Sequence, residues 1–360
     1  MFTLYGALAA LSLAALLAVA GIVLQKKGAG YDAFIRFAVV CVPFAFLGSR
    51  IAFCLSNLSY YLETIGDATL MLQVWDGGSS MTGAMVGVIL AAVVAAKWCK
   101  QTVGTMLDAA AFGMPVALII ERLAEPLCEM GWGKYYQSTA FDFISDLTQG
   151  MHPVFAYEAI IAGIILVAMV VYFRKHDHIP GDAMGFFLVL YGCAQTVLES
   201  LRNDGHMKVI HFVRINQVAA IVMAVAVLIV WSLRCFKRVG RKEALVSWLT
   251  AVVCIGFGVV QEFAADGDEN PYFSYTLVAG ILAALLVIAG VAWFLTWRKE
   301  SKSALAVPAV ALLAAVLLLI ERTIDTGAHR LFFVYGIMAA NLYIIGHMAF
   351  ALRKHAAIKE

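Results

Sequence analysis

LYGALAALSLAALLAVAGIVL, residues 4–24, is an unbroken apolar run with no charged side chain, and it ends against Lys26 and Lys27. About 20 apolar residues are needed for a helix to cross a ~30 Å hydrocarbon core, so this run is long enough to span. The same pattern recurs near 35–56, 82–98, 105–121, 154–173, 183–200, 213–233, 245–261, 274–296, 304–320 and 331–352. Of the 360 residues, 62% are hydrophobic and 14% charged, with mean hydropathy +0.86. A soluble domain is about 45–50% apolar and about 25% charged. The expected fold is therefore an all-α, polytopic integral membrane protein with about eleven transmembrane helices. This composition excludes a soluble enzyme and gives no sign of a nucleic-acid partner.

Orientation follows from where the cations fall. Lys26, Lys27, Arg36, Lys97, Lys100, Arg174 and Lys175 lie beside the loops after odd-numbered spans. The cluster from Arg234 to Lys242, Arg298, Lys299, Lys302, Arg353, Lys354 and Lys359 do the same. The opposite loops hold acidic residues such as Glu262, Asp266, Asp268 and Glu269. The positive-inside rule then puts the N-terminus outside and the C-terminus in the cytoplasm. The first run has no basic residue before it and reads as a span rather than a cleaved signal. The seven cysteines form neither a disulfide framework nor a zinc spacing; Cys128, on the outer side, is expected to be a buried free thiol. No metal or cofactor is called for.

Two parts are expected. Residues 1–240 hold nearly all the unusual polar residues and close on the basic linker CFKRVGRKEA, 235–244; residues 241–360 form a four-span extension with few intramembrane charges. One short echo, ALIIERLAEP (117–126) against LLLIERTIDT (317–326), is mostly apolar and reads as chance.

The polar residues at membrane depth are the informative ones. In VWDGGSSMTGAMVG, 74–87, Gly77 and Gly78 allow a tight turn and close approach, and Trp75 suits the headgroup level. Backbone amides at the start of the following helix favour an anion; equally, the stretch reads as an interfacial turn with Ser79 or Ser80 as helix cap. Arg50 lies inside an apolar run, Arg122 ends another, and Glu199 and Arg202 lie one helical turn apart. Charges at such depth cost roughly 2.5–3.5 kcal/mol each on insertion scales, so each faces a polar cavity or a partner. Three arginines would suit a phosphate, through paired hydrogen bonds; structural ion pairs, Glu199 with Arg202 or Glu125 with Arg122, answer the same cost. In MHPVFAYEAI, 151–160, Pro153 suits a first helical turn, and His152 is either a cap or a ligand contact.

Taken in order, these residues resemble the prolipoprotein diacylglyceryl transferase family of bacterial inner membranes. Tyr5–Gly6 match its YG, Gly48 and Arg50 its G-x-R, and Trp75, Gly77, Gly78 and Ser80 its W-x-GG-x-S. Arg122 falls at the arginine of its GR-x-GN-F signature. His152–Pro153 with Tyr157–Glu158 match HP-x-x-x-YE; Tyr191–Gly192, Glu199 and Arg202 match YG-x-x-R-x-x-x-E-x-x-R, and Gln217 a GQ. The resemblance covers about residues 1–240. It departs at Thr82, where the family has histidine, at Glu125 and Cys128, where it has asparagines, and at Gln195, where it has arginine.

The resemblance implies transfer of diacylglyceryl from phosphatidylglycerol to the lipobox cysteine of a prolipoprotein, near the extracytoplasmic leaflet of the bacterial cytoplasmic membrane. It implies catalytic roles for Arg122, Glu125, His152 and Glu199. Substrate contacts fall to Tyr5, Arg50, Gly77, Gly78, Ser80, Thr82, Tyr157, Gln195 and Arg202. Such chemistry needs an acyl slot, cations on the leaving phosphate and an acceptor for the thiol proton. Thr82 does not titrate near neutrality, which leaves Glu121, Glu125, Glu129 or His152 as the acceptor. Alternatives are a paralogue that binds lipid, transfers another group or acts as a non-catalytic partner, and a transporter using the intramembrane charges.

Overall fold

The computed structural model describes residues 3–74, 77–133, 135, 150–175, 178–203, 209–210, 213–235, 240–265, 274–299, 303–323 and 330–358. Trp75, Asp76, Asp266, Asp268 and Glu269 lie outside them, as does the side chain of Glu262. The described residues contain eleven long helices: α1 (Leu4–Lys26), α2 (Gly30–Ser56), α3 (Met81–Cys99), α4 (Val103–Ala124), α5 (Val154–Lys175), α6 (Asp182–Leu201), α7 (Ile215–Cys235), α8 (Arg241–Ala265), α9 (Tyr275–Trp297), α10 (Ala306–Thr323) and α11 (Arg330–Ile358). Nine are long and apolar enough to cross a membrane by length and composition; α6 is not among them, and α7 supplies a shorter apolar stretch, Ile215–Trp231. The protein is an all-α polytopic membrane protein. Its only described strands pair two residues with two, Val209–Ile210 against Val213–Arg214.

The chain packs as two units, neither continuous in sequence. The first takes 1–132, 153–187 and 203–219; the second takes 133–152, 188–202 and 220–360.

In the first unit α4 is the hub, packing on α1, α3 and α5. Its sequence suits that place: Ala109, Ala110, Ala111 and Gly113 are small enough to let neighbours come close. A Cβ on Gly113 would press on the Leu16 carbonyl of α1. Large apolar side chains such as Leu11, Leu47, Ile51 and Leu90 point outward instead, as expected where lipid rather than water is the solvent. Between helices in lipid, association rests on close packing of small residues, and α2 and α3 show it. Gly48 of α2 faces Gly83 and Gly87 of α3 so closely that a Cβ on Gly87 would collide with the Phe44 carbonyl. Gly87→Ala is expected to destabilise by about 1–3 kcal/mol through overpacking, read as a lowered thermal midpoint in detergent; an unchanged midpoint would mean the helices part easily.

At the other end of α4, fully buried Asp108 holds three chain segments together. Its Oδ2 accepts from Lys27 Nζ at 2.7 Å, just past α1. Its Oδ1 accepts from the backbone N–H of Gly181 and of Ala183, both 3.0 Å, where α6 begins. His178 Nε2 stands 3.8 Å from the same carboxylate.

In the second unit, α8, α9, α10 and α11 pack as a closed ring, each on the next and α11 back on α8. Inward residues recur at alternating three- and four-residue steps, the 3.5-residue period of supercoiled bundles. On α9 they are Ala279, Ala283, Leu286, Gly290, Trp293 and Trp297; on α10, Val307, Ala311, Ala314, Leu318 and Glu321. Trp293 and Trp297 are fully buried and stack at 5.5 Å with planes 15° apart, and Trp293 Nε1 donates to Ser247 Oγ of α8 at 3.0 Å.

Candidate functional site

The polar centre of the first unit is Arg122, in the last turn of α4 and 6% exposed. Such a cation cannot stay in an apolar surrounding without partners, and three carboxylates supply them. Glu125 pairs with its Nη1, Glu158 of α5 lies 2.8 Å from its Nε, and Glu121 lies 3.7 Å away. Glu125 and Glu158 are themselves 4% and 5% exposed, so three carboxyl groups and one guanidinium share a water-poor space.

Local backbone chemistry builds this arrangement. Pro126 stops α4 at Ala124, and Glu125–Cys128 continue as a single tighter turn. Glu129 then takes a left-handed φ of +58°, so Glu121, Glu125 and Glu129 do not lie along one helix. The chain folds back through Gly131, at φ +82°. A side chain there would press on Glu125 Oε2 and on Phe155, so glycine is required. Its carbonyl accepts from Phe155 N–H at 3.0 Å. The early end of α4 also corrects one expectation: Cys128 is exposed rather than buried, because the turn that carries it stands clear of the helix packing.

Tyr5, in the first turn of α1, lies close enough to Glu121 and Glu125 to feel their charge and has the Ser79 side chain beside its hydroxyl. Ser80 is the cap of α3, accepting from Gly83 N–H at 3.3 Å. Thr82, in the next turn, donates to Asn216 Oδ1 of α7 at 3.5 Å. Gly77 and Gly78 have φ of +81° and +84°, and their carbonyls accept from Arg50. Arg50 is thus held by main chain and Arg122 by carboxylates. The two guanidiniums have separate sets of partners.

The remaining expected residues fall mostly in the second unit. Glu199 is fully buried in α6 and accepts from Gln195 Nε2, one turn earlier, at 2.8 Å. Arg202, 1% exposed, lies just past the end of α6, where it forms an isolated bridge with Gly133. His152 offers its carbonyl to Gly133 N–H at 2.7 Å. Tyr157 returns to the first unit, half-buried in the first turn of α5, with its N–H on the Pro153 carbonyl at 3.2 Å.

Sequence reasoning gave no site role to four residues that the geometry brings forward: Glu158, matched to a motif but not to Arg122, Ser79, read only as a candidate helix cap, Asn216 and Asp108. Two could have been found, since a carboxylate within an apolar run demands a cation, and both Glu158 and Asp108 meet that description. Ser79 and Asn216 are ordinary loop and helix-start residues with no such signal.

Many apolar helices around a buried arginine–carboxylate centre define a multi-pass membrane protein with a polar site inside its helix packing. The family model described as prolipoprotein diacylglyceryl transferase matches residues 1–233, and the chain belongs to that family. Curated relatives named phosphatidylglycerol–prolipoprotein diacylglyceryl transferase, from Streptococcus pyogenes serotype M5 (strain Manfredo) and serotype M49 (strain NZ131), are each 28% identical over 194 residues, covering 51% of this chain and 72% of theirs. The matched segment includes Arg122 and its three carboxylates; the ring of α8–α11 lies beyond it.

Proposed function

We propose that the protein is a transferase of this family, moving diacylglyceryl from phosphatidylglycerol to the lipobox cysteine of a prolipoprotein, with its N-terminus and the Arg122 cluster on the extracytoplasmic side. The observation that supports it most is the buried Arg122 held between Glu125 and Glu158, inside the segment the family model matches. In this reading the cysteine sulfur attacks the glycerol carbon bonded to the phosphate oxygen. A thioether C–S bond forms as the C–O bond breaks, and glycerol phosphate leaves with the bonding pair. Arg122 stabilises the charge growing on that phosphate, where a preorganised cation acts most strongly. Glu125 takes the thiol proton, as a carboxylate positioned in a water-poor site can, while Thr82 stays a hydrogen-bonding residue. Tyr5 stands beside the cluster, within the field of Glu121 and Glu125. Purified protein in phosphatidylglycerol vesicles is expected to add the diacylglyceryl mass to a lipobox peptide. An unmodified peptide beside an active family member would rule catalysis out.

One observation favours a second reading. Three carboxylates already surround Arg122, which leaves it less free to stabilise a departing phosphate and suits a non-catalytic relative whose lipid is held by other contacts. Such a protein would retain phosphatidylglycerol through purification and still leave the peptide unmodified.

A further inference from the structure

Residues 57–80 connect α2 to α3 through a wide helical turn at Tyr60–Ile65 and a tight one at Ala68–Leu72. Asp67 caps the tight turn, accepting from Thr69 N–H at 2.8 Å and Thr69 Oγ1 at 2.6 Å, and these bonds hold its carboxyl below the usual range. Leu58, Tyr60, Leu62, Ile65, Leu72 and Val74 point outward from this strap. Because the strap leaves one spanning helix and enters the next, that apolar face lies at headgroup level.

Arg50, only 9% exposed, reaches into the strap from α2. An arginine has five N–H donors, and five carbonyls accept here. Nε donates to Met71 at 3.1 Å. One terminal nitrogen donates to Gly77 and to Gly78, the latter at 3.1 Å. The other donates to Gln73 at 2.9 Å and Leu70 at 3.4 Å. The guanidinium also stands 5.7 Å from the Phe53 ring centroid, and the same ring occupies the space a Cβ on Gly78 would need. Beyond the glycines, Ser80 N–H donates to Ser49 Oγ at 2.9 Å. Between these anchor points sits Ser79, whose side chain meets Tyr5 beside Glu121 and Glu125.

We propose that Arg50 is a positioning residue rather than a phosphate ligand: its full set of donors fastens the strap so that Ser79 holds Tyr5 over the Arg122 cluster. The alternative, direct contact with the lipid phosphate, would require Arg50 to release carbonyls of Gln73, Gly77 and Gly78, and to leave Met71 with only the weak Cys54 Sγ contact at 3.6 Å. Lysine cannot replace it, because three donors on one nitrogen cannot span five carbonyls.

The test uses the full-length protein in phosphatidylglycerol-containing nanodiscs, comparing wild type, Arg50→Lys and Ser79→Ala. Backbone hydrogen exchange, retained phosphatidylglycerol and transfer to a lipobox peptide are measured together. Arg50→Lys is expected to speed exchange over 69–80 by about 10-fold or more while retained lipid stays within about two-fold. Its kcat falls by about 10²-fold with KM for lipid little changed, as misplacement of a positioned group does. Ser79→Ala, which keeps every Arg50 contact, lowers kcat in the same way without speeding exchange at 69–74, and so covers the case in which Arg50→Lys fails to fold. A strap that stays protected in Arg50→Lys while lipid is lost would overturn the proposal in favour of direct contact. Unchanged kcat in Ser79→Ala would overturn the role given to the Tyr5 contact. The kinetic arm rests on the transferase reading. If wild type transfers nothing, that reading fails, and exchange with lipid retention still decides the place of Arg50.

Discussion

Arg122→Ala is expected to remove both activity and much of the stability of the first unit. The substitution leaves Glu125 and Glu158, 4% and 5% exposed, without the cation that stands between them. Removing one partner of a buried ion pair costs about 3–5 kcal/mol, chiefly from the stranded opposite charge, and here more than one charge is stranded. Loss of a preorganised cation at a departing phosphate lowers kcat by about 10²–10³-fold. The two effects separate in a second variant. Arg122→Ala combined with Glu125→Gln removes one of the stranded charges, so the thermal midpoint in detergent should recover in part while transfer stays lost. A double variant no more stable than the single one would show that Glu125 and Arg122 do not share one electrostatic site.

Asp108→Ala is expected to be as damaging, by a different route and with no direct effect on chemistry. Its carboxylate is fully buried and satisfies Lys27 Nζ and two backbone N–H groups at the start of α6. Alanine leaves an ammonium and two amide donors without their acceptor, for a loss again of about 3–5 kcal/mol. Asp108→Asn keeps one acceptor oxygen for the amides but loses the charge facing Lys27, and should fall between. Chemical denaturation of the detergent-solubilised protein orders the three. Asp108→Asn at wild-type stability would show that the Lys27 pair, 24% exposed on the lysine side, contributes little.

Helix positions were readable because lipid imposes one rule on every span. The run at 82–98 became Met81–Cys99, and that at 154–173 became Val154–Lys175; in each case basic residues at the end of the run marked the stop. Pro126 accounts for the break after α4 by a different rule, since proline does not continue a helix. The strap was not readable, since its path depends on Arg50 meeting carbonyls 20 to 28 residues away, a tertiary fact with no local periodicity. For the same reason Arg50 and Arg122 looked alike in sequence, two arginines at apolar depth, although one is held by main chain and the other by carboxylates. The pairing of Arg122 with Glu125 was foreseeable from their three-residue spacing, whereas Glu158 reaches it from another helix.

The stacked indoles of α9 have a consequence for the extension as a whole. Trp293 and Trp297 occupy the last turns of α9, where the ring of four helices leaves them no exposed surface. A conduit needs an open axis, and this end of the ring holds two stacked indoles, one of them tethered to Ser247 near the start of α8. A solute entering the ring from this end would have to displace both rings and break that tether.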